Sequence, residues 1–315
     1  MSNFERISRS SATRLSELAS VRCGFITDLA WSPDGLLLAV AHGDGVWLWT
    51  EGFGGEPDLK LEGHTGPVKG VAFSPDSHFV ATASADSTVR LWMTSSAQRL
   101  SIMRNHTDSV ACVAFSPDGS QLASAGGDKR IEVLDMTMTN GFTLTGHQEE
   151  ISCLVFGHNG AVLASGGRDN QVRIWNLADR TTLSLLEHDD WIRDLAASTD
   201  GRLLASACKD GSVRLWDFAT AQLIRTLEAH EGGADSVAFS ADGTLLASGG
   251  RDNRIKLWEV ESGEQINELT AHSKPVLALA FHPAGNMLAS GSGDNTVRMW
   301  GVTSLSTNGK AVGTL

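Results

Sequence analysis

A tryptophan recurs along this chain at an almost constant interval, and this repeat constrains the fold more than any other feature. The series consists of Trp49, Trp92, Leu134, Trp175, Trp216, Trp258 and Trp300, in which a leucine fills the one gap. Its successive intervals are 43, 42, 41, 41, 42 and 42 residues. Seven units therefore cover nearly the whole chain, as is typical of a repeat protein whose units stack on one another.

Each unit reads as four short strands. The unit at 269–300 contains the apolar runs VLALAF, MLASGS and TVRMW, which turn residues separate. A fourth, more variable strand precedes the histidine of the unit, where apolar residues stand three apart, as in Ile224 and Leu227. The turn between the first two strands is SPDG at 32–35 and SADG at 240–243, which are residues that a tight turn favours.

Seven such sheets predict an all-β fold, a seven-bladed β-propeller of four-stranded antiparallel blades. We expect an outer strand shared between the chain termini to close the ring, and two segments offer one: 14–21, which we favour, and 310–315. The predicted organisation is a polar N-terminal tail at 1–13, the propeller at 14–300 and a C-terminal tail at 301–315.

The Gly-His near the start of a unit, the Asp before its third strand and the Trp that ends that strand resemble the WD-repeat β-propeller family over roughly 15–300. The resemblance implies a hydrogen-bonded chain of His, Ser or Thr, Asp and Trp within each blade. Complete sets occur in five blades: His64, Thr82, Asp86 and Trp92; His147, Ser165, Asp169 and Trp175; His188, Ser206, Asp210 and Trp216; His230, Ser248, Asp252 and Trp258; His272, Ser290, Asp294 and Trp300. Blade three has Leu134 in place of Trp, and blade one keeps only Asp44 and Trp49.

Composition excludes several classes of protein. The formal net charge of −12 opposes binding to nucleic acid. No apolar run approaches the roughly 18 residues of a membrane span, and the N-terminus does not read as a secretory signal, so we expect a cytoplasmic protein. The four cysteines are far apart and form no CxxC pair, which predicts reduced thiols and neither a disulfide framework nor a metal site.

The positions at which the repeats differ are the candidate binding residues. The residue just before the repeated Asp is a cation in three consecutive blades, as Arg168, Lys209 and Arg251. On the predicted channel-lining strands, the equivalent variable positions include Lys69, Arg193 and Asp235. The resemblance implies that both sets face the top rim around the channel mouth.

Trp191 is the one tryptophan that we place on a connecting loop at that rim. Five other repeats have Pro67, Ser109, Glu150, Gly233 and Pro275 at this position, and blade one has Phe25, a weaker second candidate. An aromatic residue beside arginines is typical of an interface hot spot. The alternative is that Trp191 folds down as a packing plug and that the cations are merely solvated.

We therefore expect a non-enzymatic scaffold that binds a peptide or protein segment at the top rim, acidic or phosphorylated, without cofactor or metal. Glu149, Glu150, Asp189 and Asp190 would favour a segment carrying both signs of charge. One alternative is a structural subunit that contacts its partners through blade edges. A propeller hydrolase or lyase is a further alternative, against which the absence of GxSxG, HExxH and GxxxxGK[ST] argues. The histidines outside the repeated place, at 42, 78, 158 and 282, supply no catalytic residue.

Overall fold

The computed structural model describes residues 4–50, 53, 55–157 and 160–303. Within these ranges the chain forms seven antiparallel sheets, which we call blades one to seven in chain order. The first strand of each blade lies beside the first strand of the next, and the first strand of blade seven lies beside that of blade one. The sheets therefore form a closed ring around a central channel, so the prediction of a seven-bladed propeller is confirmed.

The first four blades each consist of four strands that follow one another along the chain. Blade one consists of β3 (Ile26–Trp31), β4 (Leu38–His42), β5 (Gly45–Trp49) and β6 (Leu59–Leu61). Blade two consists of β7 (Val68–Phe73), β8 (Phe79–Ser84), β9 (Val89–Met93) and β10 (Arg99–Met103). Blade three consists of β11 (Val110–Phe115), β12 (Gln121–Gly126), β13 (Arg130–Asp135) and β14 (Gly141–Thr145). Blade four consists of β15 (Ile151–Phe156), β16 (Val162–Gly167), β17 (Gln171–Asn176) and β18 (Thr181–Glu187).

The last three blades include the N-terminus of the chain. Blade five consists of β19 (Ile192–Ala197), β20 (Leu203–Cys208), β21 (Ser212–Asp217) and β22 (Leu223–Glu228). Blade six consists of β23 (Ala234–Phe239), β24 (Leu245–Gly250), β25 (Ile255–Glu259) and β26 (Gln265–Leu269). Blade seven consists of β27 (Val276–Phe281), β28 (Met287–Ser292), β29 (Thr296–Thr303) and the N-terminal β2 (Ser16–Arg22). Before β2 come β1 (Phe4–Glu5) and the short helix α1 (Arg9–Ala12).

The first turn of each blade explains the repeated Ser-Pro-Asp-Gly sequence. In blade one, the Ser32 hydroxyl donates to the Asp34 carboxylate at 2.6 Å and accepts from the Leu37 N–H at 2.8 Å. Gly35 ends the turn with φ +74°, a left-handed conformation that glycine adopts without strain. Because the strands are antiparallel, the turn between the second and third strands, which carries the variable cations, lies at the other end of the blade from this first turn.

The N-terminus closes the ring. Strand β2 pairs antiparallel with β29, from Ser16 opposite Gly301 to Arg22 opposite Thr296. The favoured segment at 14–21 is therefore the closing strand, shifted by one or two residues at its ends. The alternative at 310–315 lies outside the described residues.

The segment predicted as a polar tail packs on the propeller instead. Ile7 and Ala12 are 1% and 0% exposed, and they share a hydrophobic cluster with residues of blades six and seven. The segment is mainly polar, but these two apolar side chains are buried against the propeller, so it is not a free tail.

Hydrophobic contact between neighbouring blades forms the core. The cluster between blades four and five, for example, joins Val172 and Ile174 of one blade to Ile192 and Leu195 of the next. Seven such clusters follow the ring within the described residues. Since each blade is buried only by its neighbours, loss of ring closure would expose apolar surface on two blades.

Candidate binding site at the channel mouth

A buried hydrogen-bonded chain positions the top turn of most blades. In blade four, His147 Nδ1 lies 2.9 Å from the Asp169 carboxylate, and its Nε2 lies 2.7 Å from the Ser165 hydroxyl. The Trp175 indole N–H donates to the same hydroxyl at 2.8 Å. Both ring nitrogens of His147, the Ser165 hydroxyl and the Trp175 indole N–H therefore each have a partner, which offsets the free-energy cost of burying them.

The same geometry recurs in three further blades, and partly in blade three. Blades two, six and seven have the full chain, through Thr82, Ser248 and Ser290 respectively. Blade three has the contacts of His106 with Asp128 and Ser124, next to Leu134. Burial lowers the pKa of His64, His230 and His272, which favours neutral imidazoles, consistent with a structural role.

Blade five differs from the expectation of a complete set. His188 Nε2 still contacts the Ser206 hydroxyl at 2.8 Å, but its Nδ1 faces the Leu186 carbonyl at 3.2 Å rather than Asp210. The Arg214 guanidinium lies 3.5 Å from Asp210 and 2.5 Å from Asp189, and it takes the place of the histidine as the partner of Asp210. Burial and the charge of Arg214 lower the pKa of His188 to about 4.

Three cations surround Trp191, which is half-buried on the loop entering β19. The Lys209 Nζ lies 4.2 Å from the centre of the indole ring, and the Arg168 Cζ lies 4.8 Å from it. The Arg193 Cζ lies at 5.9 Å. These distances are within the range of cation–π attraction, so the indole holds the guanidinium and ammonium groups together at the rim.

Each cation of the rim also has a carboxylate partner. Glu150 contacts both Arg168, at 3.1 Å, and Lys69, at 3.8 Å. The remaining ion pairs are Lys209 with Asp190 at 3.3 Å, Arg193 with Asp235 at 3.5 Å, and Arg251 with Asp235 at 3.3 Å. Five cations thus share three carboxylates, and the cluster retains an excess of positive charge.

Asp235 is the buried member of this cluster. Its side chain is 5% exposed between Arg193 and Arg251. Burial raises the pKa of Asp235, and the two arginines oppose the rise. Burial also lowers the pKa of Arg193, and the charge of Asp235 opposes this change. The nearby charges of Arg251 and Arg168 lower the pKa of Arg193 further, so both guanidinium groups repel that of Arg193.

Six of the eight predicted rim residues line one cavity at the channel mouth. It has a volume of about 430 Å³, and the residues that line it include Phe25, Lys69, Arg168, Trp191, Arg193 and Asp235. Lys209 and Arg251 do not line the cavity but contact residues that do: Lys209 contacts Trp191, and Arg251 contacts Asp235. Phe25 is 56% exposed. Of the four acidic residues expected near the rim, Glu149 pairs with Lys129, and Asp189 with Arg214, rather than with the cations of the cluster.

Two aspartates deeper in the channel are not among the residues predicted from the sequence. Asp28 and Asp194 line a second cavity of about 150 Å³ that shares Lys69, Arg193 and Asp235 with the mouth. The Asp28 carboxylate accepts the backbone N–H of Val71 in the next blade at 2.9 Å, and Asp194 accepts that of Val237 at 3.0 Å. Their signal was the Asp-Leu-Ala that blades one and five share on the first strand.

These aspartates predict a pH effect on stability. Burial raises the pKa of Asp28 from 3.8 to about 7. Between these values the folded chain retains a proton that the unfolded chain releases, so stability should fall as pH rises from about 4 to about 7. Asp28→Asn should reduce this fall by up to about 1.4 kcal/mol for each pH unit, measured by urea unfolding.

The matched control for this effect is Asp118→Asn. Hydrogen bonds from Ser116 and Ser120 lower the pKa of Asp118, so its variant should alter the pH dependence only below about pH 4. If Asp28→Asn and the native chain lose stability in parallel between pH 4 and pH 7, Asp28 is not the titrating group.

Three further findings concern metal sites, thiols and membrane helices. No cluster of three or more His, Cys, Asp or Glu side chains suited to a metal ion occurs among the described residues. The four cysteines are free, and burial raises the pKa of Cys208 to about 11. Across residues 4–50, 53, 55–157 and 160–303, no helix is long and apolar enough to cross a membrane.

Comparison with known proteins agrees with the geometry. The model of the WD domain, G-beta repeat, matches seven times, at residues 16–49, 55–93, 97–135, 138–176, 180–217, 221–259 and 263–301. The comparison with curated proteins gave no match. Members of the WD-repeat family generally act as protein-interaction scaffolds and are typically non-enzymatic. Because the seven matched repeats follow the seven blades and cover most of the sequence, this chain belongs to the WD-repeat family.

Proposed function

We propose that this protein is a non-enzymatic scaffold that binds an acidic or phosphorylated segment of another protein at the channel mouth. The observation that carries the proposal is the excess of cations around Trp191. Glu150 and Asp235 are each shared by two cations, so an incoming anion can supply the missing negative charge.

The cluster is suited to a planar or tetrahedral anion. Arg168 and Arg251 have side chains that are 47% and 43% exposed, and their guanidinium groups can donate two hydrogen bonds each to a carboxylate or a phosphate. Arg193 and Asp235, deeper in the mouth, would fix the orientation of the ligand. Glu150 and Asp190 favour a segment that also carries a basic residue.

The half-buried state of Trp191 supports a role in this binding rather than that of a plug alone. The indole remains partly exposed beside Arg168 and Lys209, and such a residue gains contact area when a partner covers it. Trp and Arg dominate binding energies at protein interfaces.

An enzyme is less well supported. A catalytic mouth would need acid–base groups that converge there. Among the histidines outside the repeated place, His282 contacts the Gly35 carbonyl and His78 contacts Asp76, both at the first turns, opposite the mouth. His42 Nδ1 accepts the Asp44 N–H, and position 158 lies outside the described residues.

The test uses a fluorescein-labelled peptide of alternating glutamate and leucine with one lysine and one phosphoserine, and the same peptide without phosphate. We expect binding that weakens with salt, as screening of charges requires. Reversing Arg168, Lys209 and Arg251 to glutamate should weaken it about 10-fold or more, and Trp191→Ala about 10-fold.

A matched variant controls for net charge. Arg130, Arg180 and Arg202 are exposed and none of them lines the cavity at the mouth, so their reversal to glutamate should change the affinity less than about 2-fold. Equal loss in the two triple variants would point to a non-specific charge effect and contradict the proposal, as would binding that survives the rim reversal. Circular dichroism establishes that both variants are folded.

A further inference from the structure

The N-terminal segment shows how a groove between two blades can be filled. Strand β1 pairs with the end of β29, with Phe4 opposite Thr303 and Glu5 opposite Val302. The side chain of Ile7, 1% exposed, then packs in one cluster with Leu257 of blade six and Val302 of blade seven. We call residues 4–15 the strap and the place that they fill the six/seven groove.

Two backbone contacts and three ion pairs hold the strap. The Ile7 N–H donates to the Gly285 carbonyl at 2.7 Å, and the Asn267 side-chain amide donates to the Ala12 carbonyl at 2.7 Å. The ion pairs are Arg6 with Asp242 at 3.4 Å, Arg9 with Glu259 at 2.5 Å and Arg9 with Glu264 at 3.0 Å. An aliphatic anchor, a backbone donor and a small residue five positions later therefore define how the groove is occupied.

No described segment fills the equivalent groove between blades four and five, which we call the four/five groove. It forms a cavity of about 310 Å³, a size that accommodates a ligand side chain. The residues that line it are Gly157, Val162, Ile174, Leu183, Ser184, Asp200, Gly201, Phe218 and Ala219. Leu183 is 53% exposed beside it, where Ile266 of blade six is partly buried against the cluster that holds the strap.

Strand register relates the two grooves residue by residue. Ser184 has the place of Asn267, because it lies opposite Ile174 as Asn267 lies opposite Leu257. Gly201 has the place of Gly285, since each ends the first turn of its blade. Phe218 occupies the place of Val302. Each comes one residue after the last paired residue of the third strand, which is Asp217 opposite Leu203 in blade five and Gly301 opposite Met287 in blade seven. The four/five groove thus repeats the apolar wall, the carbonyl acceptor and a side-chain donor, Ser184 in place of Asn267.

The charges are not repeated. Neutral residues of blade four replace the two glutamates that pair with Arg9. Asn176, opposite Val162, has the place of Glu259, opposite Leu245. Thr181 has the place of Glu264. A segment bound in the four/five groove therefore has no need of the arginine that the strap uses there. The strap itself would lose those ion pairs if it moved to this groove.

We propose that the four/five groove binds a short linear segment of another protein, with an aliphatic residue inserted beside Phe218 and a small residue five positions later. The backbone N–H of the aliphatic residue donates to the Gly201 carbonyl, and the Ser184 hydroxyl donates to the carbonyl of the small residue. This site is separate from the channel mouth, so the protein can hold two partners at once, and either site can fail its test alone.

The probe is a fluorescein-labelled peptide with the sequence of residues 4–15 in which Arg6→Ala and Arg9→Ala remove the ion pairs of the strap. We expect it to bind the full-length chain with saturation, measured by fluorescence anisotropy. Leu183→Arg places a charge at the edge of the cavity, and Ala219→Trp fills it. Each should weaken binding about 10-fold or more.

Leu223→Arg is the matched control, because Leu223 is 50% exposed on the outer strand of blade five and does not line the cavity. It should leave the affinity within about 2-fold. Binding that is equal in Leu183→Arg and the native chain would mean that the peptide exchanges with the strap in the six/seven groove, and the proposal would be wrong. Absence of binding to the native chain would equally overturn it.

Discussion

Deleting residues 1–22 should lower the free energy of unfolding by more than about 5 kcal/mol, or prevent folding altogether. The deletion removes β2, which pairs with β29 at six positions and closes blade seven. It also removes Ile7 and Ala12, which are 1% and 0% exposed in the cluster of blades six and seven. Urea unfolding followed by tryptophan fluorescence measures the loss.

Deletion of residues 1–3 alone is the control and should change the unfolding midpoint little. If the longer deletion does not fold, a synthetic peptide of residues 4–22 added in trans should restore the folded state, because it supplies the outer strand. A chain lacking residues 1–22 that unfolds at the native urea concentration would show that the ring does not depend on this strand.

Ser165→Ala should lower the free energy of unfolding by about 2–6 kcal/mol. The Ser165 hydroxyl is buried, donates to or accepts from His147 Nε2 at 2.7 Å, and accepts the Trp175 indole N–H at 2.8 Å. Alanine leaves both nitrogen atoms buried without a partner, at a cost of about 1–3 kcal/mol for each.

The chain itself supplies the conservative variant for this test. Thr82 holds the equivalent place in blade two and makes the same contacts with His64 and Trp92, at 2.8 and 2.9 Å. Ser165→Thr should therefore retain most of the stability, whereas Ser165→Ala should not. If the two variants unfold at the same urea concentration, the hydrogen-bonded chain contributes little and hydrophobic packing alone holds the blade.

Features that lie within a short stretch of sequence were predictable, and features that depend on distant residues were not. The segment at 14–21 was predicted as the closing strand because Leu15 and Leu18 stand three apart, as Ile224 and Leu227 do. The register instead places Leu18 and Val21 at the positions of Ile224 and Leu227, so the segment was right and the matching residues were not. The packing of the polar tail was not predictable, because two buried side chains, Ile7 and Ala12, leave no periodic pattern in a segment rich in serine and arginine.

Blade five has the four expected residue types, yet Asp210 contacts Arg214 and not His188. In blade two, Asp86 contacts both His64 and Arg90, so the residue types alone do not determine which partners are in reach.

At the rim, the residues could be predicted from the sequence but their contacts could not. The variable positions of the repeat identified Arg168, Trp191, Lys209 and Arg251 as neighbours of the channel mouth, but not which carboxylate each cation contacts. Glu150 reaches both Arg168 and Lys69, two blades away in the ring, and Asp235 joins two blades. The expected cationic patch is therefore a partly neutralised cluster, with a smaller excess of charge.

The number of blades, the four strands of each and most of the hydrogen-bonded chains follow from the sequence alone, because each depends on a pattern that recurs with the repeat. The packing of the strap, the interrupted chain of blade five, the ion pairs of the mouth and the cavity of the four/five groove are visible only in the folded structure. These features arise where residues from different repeats meet, and contact between them depends on the closed ring, which no single repeat encodes.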